Sequence, residues 1–116
     1  MLMPLLAAAV AGLASPSVET RNDDYRFCKA SEPNYGRYHL YSTVFRVPDG
    51  TYHVGIQNSF YSFATAYDGR DFGANVICFG PYDTWQEAED QKNAYIAQDR
   101  RDGHDVSLAR WAYHGD

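Results

Sequence analysis

Residues 38–56 read YHLYSTVFRVPDGTYHVGI, and the fold turns on whether this stretch is a β-hairpin. Residues 38–47 are rich in aromatic and β-branched types, which suit the pleated, half-buried surface of a strand. Alternation puts Leu40, Ser42 and Val44 on one face and Tyr41, Thr43, Phe45 and Val47 on the other. Pro48-Asp49-Gly50 then supplies a turn, since proline presets its own φ and glycine accepts conformations that other residues avoid. TYHVGI, residues 51–56, is expected to return as the partner strand and complete the hairpin.

Downstream the period changes. In NSFYSFATAY, residues 58–67, Phe60, Phe63, Ala64 and Tyr67 recur at helical spacing, with Asn58 or Ser59 as the cap and Asp68-Gly69 as the stop. ANVICF, residues 74–79, is a compact apolar run of strand length and is expected to be the most central strand. Gly80-Pro81-Tyr82 reads as a tight turn into a second helix capped by Asp83 or Thr84, and a Thr84 cap would place Glu87 at the reciprocal capping-box position. Trp85, Ala88, Tyr95 and Ile96 form its expected buried stripe as far as Arg101, with Gly103 ending it. DVSLARWAY, residues 105–113, is the last strand, with Val106 and Leu108 on one face and Ala109, Trp111 and Tyr113 on the other. The order is ββαβαβ. It predicts an α+β fold with a single, mainly antiparallel sheet of about four strands and two helices packed on one face.

Upstream, MLMPLLAAAVAGLA, residues 1–14, is apolar, uncharged and ends in small residues, as an export signal does. Its apolar run from Leu5 to Ala14 is too short to span a bilayer, and no cysteine follows Ala14 to take a lipid anchor. SPSVETRNDD, residues 15–24, reads as a flexible segment, and residues 25–116 as one domain opening at Tyr25, Phe27 and Cys28. The expected location is the periplasm or the exterior, with no membrane insertion once the signal is removed.

The chain carries 10 basic and 15 acidic residues, a formal charge of -5. Surfaces that grip nucleic acid neutralise phosphates with clustered lysine and arginine, and the one basic pair, Arg100-Arg101, is flanked by Asp99 and Asp102. A nucleic-acid partner is therefore not expected.

Two cysteines, Cys28 and Cys78, would meet an oxidising compartment after export, where a matched pair closes. The competing reading makes Cys78 a nucleophile before a helix, with one of the four histidines as base, but no histidine stands at a nucleophile-family spacing. Across the expected hairpin His39 and His53 could approach each other and hold zinc with a carboxylate, although the sequence supplies no third ligand at recognisable spacing. His104, just beyond a helix end, reads as a surface or capping group, and His114 as exposed. Asp68-Gly69-Arg70-Asp71 lacks the ligand spacing of a calcium loop, and the other carboxylates are scattered. No catalytic residue, metal site or cofactor is predicted.

Tyrosine is the informative excess: ten in 116 residues, alongside two tryptophans. Tyrosine offers contact area and a hydroxyl at low entropic cost. Tyr35, Tyr38, Tyr61 and Tyr82 fall in loops or at element ends and are the candidate binding surface, for a protein or for stacking on sugar rings. The alternative is that they cover the rim of a thin core.

From Asn75 to Arg110 the chain resembles the closing half of a SPOR-type peptidoglycan-binding domain, with Gly80-Pro81-Tyr82 at the turn, Ala88 in the helix and Val106 to Arg110 in the final strand. HVGIQNSFYSFATAY, residues 53–67, loosely resembles the first strand and helix of that repeat. The chain is also similar to small, exported, two-cysteine Gram-negative proteins of unknown function. The expected function is a non-catalytic exported domain that binds another protein, preferably a basic one, as an envelope component or a periplasmic inhibitor or immunity-like protein. The SPOR resemblance implies peptidoglycan glycan binding as the alternative, and a small Cys/His-dependent hydrolase is a third. An exposed edge strand would also permit a homodimer.

Overall fold

The computed structural model describes residues 23–33, 36–73 and 75–114. The signal expected over residues 1–14, the segment 15–22 and Tyr35 lie outside the described residues. The elements in chain order are β1 (Asp23–Ser31), β2 (Tyr38–Ser42), β3 (Phe45–Pro48), α1 (His53–Asp68), β4 (Val76–Tyr82), α2 (Trp85–Arg101) and β5 (Asp105–Ala109). This is an α+β fold with a single sheet, as the sequence predicts, but the sheet is mixed and has five strands.

The centre of the sheet is β1, not the apolar run at 74–79. One side of β1 pairs antiparallel with β3 and then β2, and the other side pairs antiparallel with β4, so that Lys29 lies between Tyr41 and Ile77. The expected flexible segment thus ends early, because Asp23 and Asp24 already pair with Pro48 and Val47. Buried central strands are normally apolar runs. Here β1 carries Arg26 and Lys29, whose charges are met inside the fold by Asp24 and Asp99.

The predicted strand 38–47 exists but is broken. Lys29 faces Tyr41 and Arg26 faces Phe45, so the step from 41 to 45 spans one residue more than the step from 26 to 29. That extra residue is a bulge-like kink between β2 and β3. Ser42 repairs the ladder there, its Oγ accepting the buried Cys28 N–H at 2.9 Å.

The hairpin does not form. From His53 the chain is helical, and of the residues read as a return strand only Ile56 is buried, while Tyr52 is 84% and Val54 63% exposed. Ile56, Phe60 and Ala64 recur every fourth residue, so the helical stripe starts one turn earlier than its aromatic part suggests. Packing of that stripe on the sheet overrides the strand propensity of Tyr52 and Val54.

The sequence reading also puts both helices on one face, whereas they cover opposite faces. Helix α1 packs Ile56, Phe60 and Ala64 with Cys28, Ala30, Leu40, Phe45 and Val47. Helix α2 brings Ile96 and Tyr95 to Phe27, Tyr41 and Phe79. Phe27 and Cys28 are consecutive, as are Leu40 and Tyr41, and alternation sends each pair to opposite sides. Trp111, just beyond β5, closes the α1 layer against Phe45, Phe60 and Phe63.

Gly80-Pro81-Tyr82 is not a turn but the end of β4, which continues past a register shift opposite Tyr25 and Phe27. The Gly80-Pro81 peptide bond is cis. At Gly80 φ is +127°, and a Cβ would stand 2.9 Å from Tyr25 O and from Arg26 Cγ, so only glycine fits. The cap of α2 is at Thr84, whose Oγ1 accepts the Glu87 N–H at 3.0 Å, while Glu87 Oε1 reaches back to the Asp83 N–H at 3.1 Å. Of the predicted stripe of α2, Ala88 and Ile96 are buried, whereas Trp85 and Tyr95 are exposed; Lys92 and Asp99 are buried in their stead.

After α2 the chain returns as β5 parallel to β2, the one parallel pair among the described residues. The run therefore crosses β1 and β2 through a helix rather than a hairpin.

Candidate functional site

Beneath the C-terminal half of α2 a polar cluster interrupts the apolar layer. The α2 face of the sheet presents Lys29 and Ser31 from β1, and His39 and Tyr41 from β2. Asp99 enters from α2 because it continues the buried stripe Ala88, Lys92, Ile96. Where the helix ends, the His104 N–H donates to the Asp99 carbonyl at 3.0 Å, and this turn sets the His104 ring beside the cluster.

Every member has a partner. Tyr41 Oη donates to Asp99 Oδ2 at 2.6 Å, and Lys29 Nζ stands 3.2 Å from the same oxygen. His39 Nδ1 lies 2.8 Å from Ser31 Oγ, while its Nε2 lies 2.9 Å from His104 Nδ1 and 3.8 Å from Asp99 Oδ1. One ring must carry the proton shared between the two imidazoles.

The electrostatics follow from burial and neighbours. Burial pushes His39 below its ordinary value, Lys29 adds to that, and Asp99 opposes it only in part. Burial alone would raise Asp99, but the bonds from Tyr41 and Lys29 outweigh it and hold the carboxyl below the usual carboxylate value. The Tyr41 hydroxyl is driven upward by burial and then by Asp99, so it stays protonated and donating. At neutral pH the cluster is a carboxylate beside a lysine and a neutral His39. His39, Asp99 and His104 each turn one ligand atom inward, all within 4.8 Å of one another.

His53 is elsewhere. It opens α1 on the opposite face, with Nδ1 3.1 Å from Arg26 Nη1 and Nε2 2.6 Å from the Cys78 carbonyl oxygen. The expected His39–His53 approach is replaced by His39 and His104. Asp99 was legible only as one scattered carboxylate, and His104 as a capping group. The signal available was the helical spacing that puts Asp99 on the same stripe as Ala88 and Ile96.

Cys28 and Cys78 are directly opposite on β1 and β4 and are joined by a disulfide, leaving no free cysteine. Neither offers a thiolate for nucleophilic attack. No family model, curated protein or solved structure matches this chain.

The described candidate tyrosines are not one patch. Tyr38 and Tyr61 pack against the α1-side core, Tyr38 also stacking on Phe72 and under the Arg70 guanidinium. Tyr82 lies on the other side, stacked on Phe27. All three are half-buried.

The sheet edges at β4 and at β5 differ sharply. On β4 the Cys78 N–H donates to Gln57 Oε1 at 3.0 Å and the Cys78 carbonyl meets His53, so side chains of α1 occupy that edge. β5 pairs with β2 alone. The bonds Asp105 N–H to Arg37 O and Thr43 N–H to Ala109 O show that its odd-numbered residues serve β2. The backbone N–H and C=O of Val106 and Leu108 therefore face outward. Leu108 is 55% exposed beside them.

Proposed function

We propose that the chain is a non-catalytic exported domain that binds another protein along the outer edge of β5. The observation that carries this reading is the contrast between the edges: α1 blocks β4, whereas the outward backbone groups of Val106 and Leu108 have no strand against them among the described residues. Unprotected edges serve as templates for strand addition, in which backbone bonds give affinity and alternate side chains give specificity. The charge of -5 favours a basic partner and speeds its encounter. Export is supported by the disulfide, since such bonds persist in oxidising compartments. None of the described helices is long and apolar enough to cross a membrane.

The test uses the outward N–H of Leu108. Leu108→Pro removes that donor while leaving the bonds to β2 in place, because proline is tolerated where the N–H faces away from the ladder. Immobilised wild-type protein should capture a partner from periplasmic extract, and Leu108→Pro with an unchanged circular dichroism spectrum should not. Equal capture by both would reject the edge. Sedimentation with purified sacculi and no protein partner would favour glycan binding instead. A concentration-dependent dimer in the wild type, absent in the variant, would make a second copy the occupant.

A further inference from the structure

The cluster under α2 gathers two imidazole nitrogens and a carboxylate oxygen within 4.8 Å of one another. We propose that His39, Asp99 and His104 form a binding site for one divalent transition cation, with zinc the best match.

The donor set is the first argument. Imidazole with carboxylate suits zinc and its first-row neighbours rather than calcium or magnesium, which take oxygen ligands. Spacing is the second. Zinc bonds of about 2.0–2.1 Å in tetrahedral geometry put neighbouring ligand atoms roughly 3.3–3.4 Å apart. The observed 2.9 Å between His39 Nε2 and His104 Nδ1 and 3.8 Å between His39 Nε2 and Asp99 Oδ1 straddle that value. Side-chain torsions would have to adjust both pairs toward that spacing, and His104 and Asp99 offer their ligand atoms within 4.8 Å of each other.

The outer partners are the third argument. A ligating histidine commonly donates its other ring N–H to an oxygen, which fixes the tautomer and aims the lone pair at the metal. Ser31 Oγ stands 2.8 Å from His39 Nδ1, on the ring edge away from the cluster. Asp99 is divided less completely: Oδ2 is held by Tyr41 at 2.6 Å, while Oδ1 faces His39 at 3.8 Å and accepts from Lys29 Nζ at 3.4 Å. His104 is only half-buried, so solvent reaches the rim of the set, from which water would complete the coordination. Three protein ligands with one open position is a familiar zinc arrangement.

Lys29 is the natural competitor. Its ammonium lies 3.2 Å from Asp99 Oδ2 and 3.4 Å from Oδ1, the oxygen a cation would take, so binding requires that flexible side chain to swing away. This makes opposite predictions for two variants. The metal-stripped full domain would be titrated with zinc chloride by calorimetry, with cobalt(II) as a spectroscopic probe. One zinc per chain is expected, together with the visible absorption of tetrahedral cobalt and a rise in melting temperature. His104→Ala should weaken zinc binding by roughly tenfold or more and abolish the thermal shift. Lys29→Met should tighten binding several-fold. His39→Gln provides the same loss as His104→Ala if the latter fails to fold. No stoichiometric uptake by the wild type at tens of micromolar zinc would overturn the proposal. So would uptake that neither histidine variant changes, which would put the ion elsewhere on the chain.

Discussion

Asp99 shows how one buried side chain can hold three elements together. It receives Tyr41 from β2 and Lys29 from β1 while standing on α2, so its charge is compensated across the sheet rather than along the helix. Removing one partner of such a group leaves the others buried and unsatisfied. Asp99→Asn in metal-free protein is expected to cost about 2–3 kcal/mol at neutral pH, read from urea midpoints. The pH dependence has a definite sign. His39 and Asp99 are both held below their ordinary values of 6.5 and 3.8, so the unfolded chain binds more protons than the folded one in acid. With a chelator present, stability should be level above pH 6.5 and fall as His39 is forced to protonate. A second fall should follow below pH 3.8 as Asp99 is neutralised, and Asp99→Asn should lack that lower step. A profile that rises toward acid would contradict the assignment.

Among the elements, β4 depends on a position where no side chain fits. At Gly80 the neighbouring strand comes so close that a Cβ would meet Tyr25 O at 2.9 Å, with φ already at +127°. Gly80→Ala should therefore destabilise the domain by about 1–3 kcal/mol, visible as a lowered urea midpoint with an unchanged slope. Helix α2 follows from local chemistry: Thr84 caps it, Glu87 reaches back, and Arg100 and Arg101 sit in its last turn, where cations are favoured. All three are readable in sequence. Helix α1 is different, because Tyr52 caps it without a side-chain bond and Val54 is β-branched, so its first turn looks like a strand until Ile56 is seen to pack with Cys28 and Leu40.

For the molecule as a whole, the disulfide ties the central strand to its neighbour across a separation of 50 residues. In the chain-entropy model a loop of that length gains about 4 kcal/mol, a large share of a small domain's total. Reduction, or Cys28→Ser with Cys78→Ser, is expected to lower the unfolding free energy by about that amount. Equal urea midpoints for oxidised and reduced protein would show that the sheet alone maintains the fold. With helices on both faces, Tyr38 and Tyr61 are half-buried on one side of the sheet and Tyr82 on the other.

The sequence by itself determined whatever depends on near neighbours: the α+β class, the strand character of 38–47, the presence and extent of α2, and the two cysteines available to pair. Tertiary structure decided what depends on which surfaces meet. It made β1 the centre although Arg26 and Lys29 interrupt its apolar pattern, because Asp24 and Asp99 neutralise them in place. It turned 53–56 into helix, because a strand there would leave Ile56 without the core that α1 gives it. It also joined His39 to His104, 65 residues away, because β5 returns parallel to β2 after α2 has crossed the sheet. No periodicity in the chain encodes that crossing; it follows from covering both faces of one sheet with two helices.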